Sequence, residues 1–182
     1  MRETLMKARR LAFASLLAAC ACLSVSAQVK SKPDLNGVWI VDQSKSDKTN
    51  NPLEDSETSL TIEQTEPEIK MLRKYSAMSV AVQYFTDGRE VSSKDRSGTQ
   101  TIKSKTKWDG DKLVSRIVTR RIIASRSVDL DIVEEWRLSK DGKTLTKKVV
   151  IIPPKNAPDR VNAVPVAQPN QEFKKVYNRQ SS

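Results

Sequence analysis

Three Asp-Gly dipeptides, each between segments rich in β-branched residues, constrain the fold of this 182-residue chain more than any other feature. They lie at Asp87-Gly88, Asp109-Gly110 and Asp141-Gly142, and they use three of the five glycines. Asp-Gly favours a two-residue hairpin turn, because the type I′ turn needs positive φ at both central residues. Each dipeptide therefore predicts an antiparallel hairpin, and together they predict a sheet built by local strand pairing.

The first 27 residues are typical of a secretory signal peptide. Basic residues precede an apolar run, Leu11 to Leu23, which is too short to span a bilayer, and small residues ending at Ala27 offer a cleavage site. An alternative remains open, because Leu17-Ala18-Ala19-Cys20 resembles a bacterial lipobox. We therefore expect a secreted or periplasmic protein cleaved near Ala27, or a membrane-anchored lipoprotein through Cys20, with no transmembrane segment in the mature chain.

Cleavage near Ala27 would remove every cysteine. Both of them, Cys20 and Cys22, lie in the first 27 residues, and the whole sequence contains no histidine. Disulfides, zinc thiolate sites, histidine-based triads and imidazole metal sites are thereby excluded from the mature chain. The net charge falls from +10 to +7, because four basic residues and one acidic residue are removed. We expect neither a cofactor nor a metal.

The rest of the chain suits one domain with a core that needs no disulfide. We interpret residues 28–36 as a leader, 37–177 as one β-domain with a proline-rich connector at 153–170, and 178–182 as a tail. Alternating and β-branched residues predict ten strands, with a loop at residues 43–57. These strands are Gly37–Val41, Ser59–Thr65, Ile69–Tyr75, Val80–Phe85, Glu90–Asp95, Thr99–Trp108, Lys112–Ala124, Val128–Leu138, Lys143–Ile152 and Glu172–Tyr177.

The predicted turns fix which residues face each other across the sheet. On one face they give the apolar pairs Leu138–Leu145, Ile132–Ile151, Leu113–Leu138, Ile123–Val128 and Ile102–Ile117. On the other face they give the charged pairs Arg116–Glu135, Glu135–Lys148 and Arg120–Asp131, each worth roughly 0.2–1 kcal/mol. A one-residue slip would scatter both sets. The sequence therefore predicts an all-β, antiparallel up-and-down meander, and closure into a barrel would remove its exposed edges.

This pattern resembles the lipocalin-like (calycin) barrels, in particular small secreted bacterial domains of undefined function. The resemblance is carried by Gly37-Val38-Trp39, by residues 108–113 (Trp-Asp-Gly-Asp-Lys-Leu) and by residues 141–145 (Asp-Gly-Lys-Thr-Leu). It covers most of residues 35–177. It implies a barrel whose base is plugged by Trp39. The family also packs an arginine over this tryptophan, and the sequence assigns that role to no residue.

Side chains that point into the predicted barrel are of mixed polarity. We interpret the interior as a ligand cavity with Glu134, Lys147 and Arg121 as polar anchors and Trp136 as an apolar wall. The alternative is a paired, hydrated charge inside a filled small barrel, since an unpaired buried charge costs several kcal/mol. The predicted ligand-binding residues are Trp136, Glu134, Lys147, Arg121, Ser104, Ser115, Tyr84 and Trp108. Of these, Tyr84 and Trp108 would line the mouth or pack at the core or rim.

The predicted outer surface has a basic cluster and an apolar row. The basic residues are Lys103, Lys105, Lys107, Lys112, Arg116 and Arg120. They predict a solvated charged face and no nucleic-acid binding, because acids lie nearby and no aromatic side chains interleave to stack bases. The apolar row is Thr101, Val118, Val133 and Val150. Either the proline-rich segment folds back over it, or a weak dimer forms through Val118, Val133 and Val150.

Catalytic motifs are not recognisable in the sequence. It has no phosphate loop, serine elbow or metal-ligand spacing, and the adjacent Glu134 and Glu135 must point to opposite faces of their strand. Three hypotheses follow. The barrel binds a small, partly apolar ligand; or it is a non-enzymatic interaction module of the cell envelope that uses its outer face; or it is an enzyme acting on a hydrophobic small molecule through Glu134 and Lys147.

Overall fold

Ten antiparallel strands form one sheet in the computed structural model, which describes residues 31–49, 51–94, 98, 100–123, 126–152 and 171–181, with side chains at 121–128 excepted. The strands are β1 (Gly37–Val41), β2 (Glu57–Thr65), β3 (Glu68–Tyr75), β4 (Ser79–Phe85), β5 (Asp87–Lys94), β6 (Thr101–Asp109), β7 (Lys112–Ile123), β8 (Arg126–Leu138), β9 (Thr144–Ile152) and β10 (Gln171–Arg179). The predicted all-β class and all ten predicted strands are confirmed, with bounds that differ by at most three residues.

Strands adjacent in sequence pair with each other, and β1 pairs with β10, so the meander curls into a nearly closed barrel. The order is β4-β3-β2-β1-β10-β9-β8-β7-β6-β5. The two edge strands are therefore β4 and β5. The predicted up-and-down meander and its barrel shape are confirmed, with a break in the hydrogen-bond ladder between these two strands.

The Asp87-Gly88 dipeptide does not form the predicted hairpin. Asp87 begins β5 and pairs with Lys107 of β6, whereas β4 and β5 share no ladder. The pairing is irregular between Asp87 and Glu90, and Gly88 has a φ of +80° there. Gly88 thus lies at an irregularity in the pairing of an edge strand, because a positive φ is favourable in a bulge as well as in a turn.

The predicted register is correct for β8–β9 and shifted by two residues for the two preceding hairpins. Asp109 pairs with Lys112, so the central turn residues are Gly110 and Asp111 rather than Asp109 and Gly110. As a result Ile102 faces Thr119, not Ile117. A shift of two residues keeps every side chain on its own face, and the assignment of interior and exterior therefore holds.

The same shift separates β7 from its predicted partners on β8. Leu113 faces Trp136 rather than Leu138, and Ile123 faces Arg126 rather than Val128. On the outer face the corrected charge pair is Arg120 with Asp129, which form an ion pair of 2.8 Å.

Of the two pairs predicted for Glu135 on the outer face, one is wrong and the other is confirmed. Arg116 faces Val133 instead of Glu135, while the predicted facing of Glu135 and Lys148 is confirmed. Val118 faces Asp131, so it does not belong to the predicted apolar row. Val133 still faces Val150. The proline-rich segment, residues 153–170, lies outside the described residues.

The segment predicted as a loop between β1 and β2 contains a one-turn helix, α1 (Pro52–Asp55). Its N-cap, Asn51, accepts a hydrogen bond from the Leu53 backbone N–H, and Pro52 occupies the first helical position. Both are favourable there, since the cap satisfies a free N–H and proline has none to lose. The helix is too short to show periodicity in the sequence.

The base of the barrel is closed around Trp39, which is fully buried in the core, and the expected plug is present. Its indole Nε1 donates to the Leu35 carbonyl oxygen, which draws this residue of the predicted leader into the core. The Arg179 guanidinium lies 4.4 Å from the centre of the Trp39 ring. Arg179, placed by the sequence in the tail, is the last residue of β10 and supplies the arginine that the sequence left unassigned.

Candidate functional site

Six polar side chains meet in the middle of the barrel and form what we call the ion cluster. Alternation along β2, β3, β9 and β10 turns these side chains inward, and α1 contributes one from above the sheet. Its members are Glu54, Glu57, Arg73, Lys147, Lys175 and Tyr177.

The centre of the ion cluster is a bidentate pair between Arg73 and Glu57. Arg73 Nε donates to Glu57 Oε1 at 3.0 Å and Arg73 Nη2 to Oε2 at 2.8 Å, while Tyr177 Oη donates to the same carboxylate at 3.2 Å. Burial alone would raise the pKa of Glu57, but the hydrogen bonds and charge of Arg73 lower it. Charged hydrogen bonds of this geometry compensate the loss of water around both ions.

Lys147 is fully buried and contacts acids from two elements. Its Nζ is 3.0 Å from Glu54 Oε2 and 3.9 Å from Glu57 Oε2. It also lies 5.7 Å from the ring centre of Trp136, its cross-strand neighbour. The sequence predicted Lys147 as an interior anchor near Glu134; the structure places it inside but pairs it with Glu54 and Glu57.

Glu54 lies on α1, and its side chain points into the barrel interior. Its carboxylate accepts from Arg73 Nη2 at 3.0 Å and from Lys147 Nζ, and its backbone carbonyl oxygen accepts from Lys175 Nζ. Burial opposes ionisation of Glu54, but the nearby charges of Lys147 and Arg73 outweigh it and lower the pKa to about 2. Burial lowers the pKa of Lys175, against the opposing charges of Glu57 and Glu54.

A second set of polar side chains lies inside the barrel, around Glu134 of β8. Glu134 is buried and accepts a hydrogen bond from Tyr84 Oη at 3.1 Å, and it forms no ion pair within the described part of the chain. Burial and the Glu134 charge raise the pKa of Tyr84 well above its ordinary value. Ser115 faces Glu134 across the ladder and shares a 2.7 Å hydrogen bond with Thr106.

Trp136 is 1% exposed, and its indole Nε1 has no hydrogen-bond partner among the described residues. Its ring packs against Tyr177 at a centroid distance of 6.0 Å. A buried donor without a partner costs about 1–3 kcal/mol and is rare in folded proteins. Trp136 thus lies on the inner face of β8, where the sequence placed it, and its indole carries an unused donor.

For two predicted site residues the sequence left open a place at the mouth or in the core, and both contact the core. Trp108 packs against the core at the base, where its Nε1 donates to Glu66 Oε1 at 2.7 Å. Tyr84 is buried in the core rather than lining a mouth. Ser104 faces inward and is half-buried, opposite Ile117. The side chain of Arg121 lies outside the described residues.

Sequence reasoning missed most of the ion cluster: Glu54, Glu57, Arg73, Lys175 and Tyr177. A usable signal was present on β3 and β10, where alternation places Arg73 on the face of Ile69 and Met71, and Lys175 on that of Tyr177. No comparable signal marks Glu54, because a one-turn helix has no period to read.

One row beyond Glu134, five inward-facing side chains are half-buried, although Thr119 in the following row is buried again. Ile151, Ile132 and Ile117 lie in one row across β9, β8 and β7, and Ser104 and Val91 continue it on β6 and β5. All five are half-buried, whereas Lys147 and Trp136, two rows nearer the base, are almost fully buried. Among the described side chains, this row is therefore less enclosed than the rows nearer the base.

Two features are absent from the described residues. No helix in them has the length and apolar character needed to cross a bilayer. No group of three or more acidic, cysteine or histidine side chains in the same ranges is arranged to hold a metal ion.

Comparison with known proteins matches folds but not sequences. No family model matches the chain, and no curated protein matches it. Among solved structures, the fatty acid transporter REP1-NXSQ is 11% identical, covers 82% of this chain and 98% of its own, and has a TM-score of 0.50. Human cRBP IV is 15% identical (81% and 99% covered, TM-score 0.49), and a mutant of the fluorescent protein UnaG is 13% identical (81% and 97%, TM-score 0.49). The chain has the fold of the lipocalin-like (calycin) barrels.

Proposed function

We propose that the barrel binds one small, partly apolar ligand in its interior. The observation that carries this is the row of Ile117, Ile132 and Ile151, which faces inward yet is only half-buried. Apolar surface inside a concave fold gains about 25 cal/mol per Å² when a ligand removes it from water. The likeness of fold to a protein described as a fatty acid transporter supports the same function.

The polar groups near this row would orient the ligand. Its apolar part would lie along the isoleucines, and its polar end would reach the level of Glu134 and Trp136 on β8. Glu134 offers an acceptor one row from the isoleucines, and Trp136 offers an unused donor two rows from them. This is the composition of a small-molecule site, which is mostly apolar with a few placed polar groups.

A pair of adjacent variants on β8 tests the proposal. Ile132 faces inward and Val133 outward, both half-buried, so Ile132→Gln and Val133→Gln place the same polar group on opposite sides of the wall. We expect saturable binding of the neutral dye Nile red to the wild-type protein, measured by its emission. Ile132→Gln should weaken this binding at least tenfold, because it puts an amide against the apolar part of the dye.

Val133→Gln is the matched control and should leave the dissociation constant within twofold of the wild type. Circular dichroism and urea unfolding would verify that both variants fold. Absence of saturable dye binding, or an equal effect of the two substitutions, would refute an interior site.

The remaining expectations from the sequence are proposals that need their own tests. Export with cleavage near Ala27 predicts a mature chain that starts at Gln28, whereas lipidation would leave Cys20 as the first residue; intact mass spectrometry of protein from its native host distinguishes them. The weak dimer through Val118, Val133 and Val150, the outer-face interaction module and the enzymatic role stay predictions.

A further inference from the structure

Glu54 reaches the interior cations from outside the sheet. It belongs to α1, and its carboxylate is 3.0 Å from both Lys147 Nζ and Arg73 Nη2. Its backbone carbonyl oxygen accepts a hydrogen bond from Lys175. One residue of the connection between β1 and β2 thus contacts all three cations of the ion cluster.

The two acids of the ion cluster differ in how firmly they are held. Glu57 is fully buried in β2, pairs with Tyr75 in the ladder and holds Arg73 bidentately. Glu54 is 16% exposed and sits on a single helical turn whose Leu53 is 43% exposed. Glu57 is thus fixed by the sheet, whereas Glu54 is held by a single helical turn outside the sheet.

A ligand with a carboxylate would compete with Glu54. Arg73 is already held by Glu57, and Lys147 has Glu54 as its nearest acid. The three cations outnumber the two acids, but each of them already has a carboxylate within 3.4 Å, so while Glu54 stays in place a ligand carboxylate meets no unoccupied cation and lies beside two like charges. If Glu54 left, the ligand would have to displace a tethered group that acts at an effective concentration of mM or more. Either route weakens the binding of acids.

An uncharged ligand meets neither obstacle and finds partners nearby. Trp136 Nε1 is a buried donor without a partner among the described residues, and Glu134 is an acceptor on the same face of β8, two residues away. A hydroxyl group both donates and accepts, so it suits this pair.

From this geometry we infer that Glu54 determines ligand specificity: it fills the cationic site with a carboxylate of the chain itself and reserves the barrel for uncharged, hydroxyl-bearing apolar ligands. The inference rests on the proposed function and names the ligand class. Removing the Glu54 charge should convert the barrel into one that accepts carboxylates.

The test uses two probes with the same alkyl chain, dodecanol and dodecanoate, each displacing Nile red from the full-length protein. We expect the wild type to bind dodecanol at least tenfold more tightly than dodecanoate. Glu54→Gln should tighten dodecanoate binding at least tenfold and leave dodecanol within threefold. The control is Glu172→Gln, which removes the same charge from an exposed pair with Lys148 and should leave both affinities within twofold.

Equal affinity of the wild type for the two probes would overturn the inference, and this comparison needs no variant to fold. An unchanged ratio in folded Glu54→Gln would also overturn it. If either result were obtained while the wild type bound the dye and Ile132→Gln weakened that binding, the proposed function would still hold. Failure of the dye to bind at all would overturn both.

Discussion

At the residue scale, Arg179 shows how one side chain joins the ends of the chain to the barrel base. Its guanidinium lies over Trp39 and donates to the carbonyl oxygens of Gly142, Asn36 and Asp34. It thereby satisfies backbone acceptors of the segment before β1 and of the β8–β9 turn. A planar cation with several fixed donors suits this task, and lysine would not replace it.

Substitution of Arg179 by methionine should lower the free energy of unfolding by about 2 kcal/mol, because a cation–π contact and three charged hydrogen bonds are lost. Urea denaturation followed by tryptophan fluorescence measures the change. Arg137→Met is the control, since Arg137 is exposed and its nearest acid, Asp111, is 4.0 Å away; it should change stability by less than about 0.5 kcal/mol. Equal effects would show that Arg179 does not hold the base.

At the element scale, the barrel has one weak seam, between β4 and β5. Among the described residues, β8 pairs with strands on both sides, whereas β4 pairs only with β3 and β5 only with β6. An edge strand keeps half of its backbone groups unpaired with the sheet. The seam is therefore the place where the wall opens most easily.

Hydrogen exchange measured by NMR should reveal this seam. We expect the β4 amides that point away from β3 to exchange about a hundredfold faster than those of residues 130–138 in β8, because they have no ladder partner. The β4 amides bonded to β3 are the internal comparison. Uniform protection along β4 would instead mean that the ladder closes completely.

At the scale of the whole molecule, the ion cluster links stability to pH. The folded-state pKa of Glu54 is about 2, below the ordinary value of 4.5, so its contribution is complete above pH 4.5 and disappears as the pH falls through 2. The pKa of Glu57 is also lowered in the folded state, so its ionisation also stabilises the fold above its ordinary pKa. Protonation of either acid leaves buried cations without their partner.

We therefore expect the free energy of unfolding to fall between pH 4.5 and pH 2, with about 3 kcal/mol of the loss due to Glu54. Urea unfolding at a series of pH values measures it. Glu54→Gln should show a correspondingly flatter dependence, and Glu172→Gln should follow the wild type. A wild-type curve with no loss in this range would mean that the acids of the ion cluster are not ionised in the folded state.

Much of the barrel could be predicted from the sequence, because β-strands alternate with a period of two. The strands, the meander and the inward position of Trp136, Glu134 and Lys147 all follow from that alternation. The two-residue error in the β6–β7 and β7–β8 registers did not disturb them, since a shift of two residues keeps each side chain on its face. The prediction for Asp87-Gly88 was wrong because the dipeptide reports local backbone freedom and not which strands pair.

The local rules of the chain determined which side chains enter the barrel, and only the tertiary structure decided which of them meet. Glu54 contacts Lys147 across 93 residues of sequence, and Tyr177 contacts Glu57 across 120. Such contacts depend on how the sheet curls and on where a one-turn helix docks. Arg179 came to Trp39 for the same reason: closure of β10 onto β1 brings the end of the last strand to the barrel base.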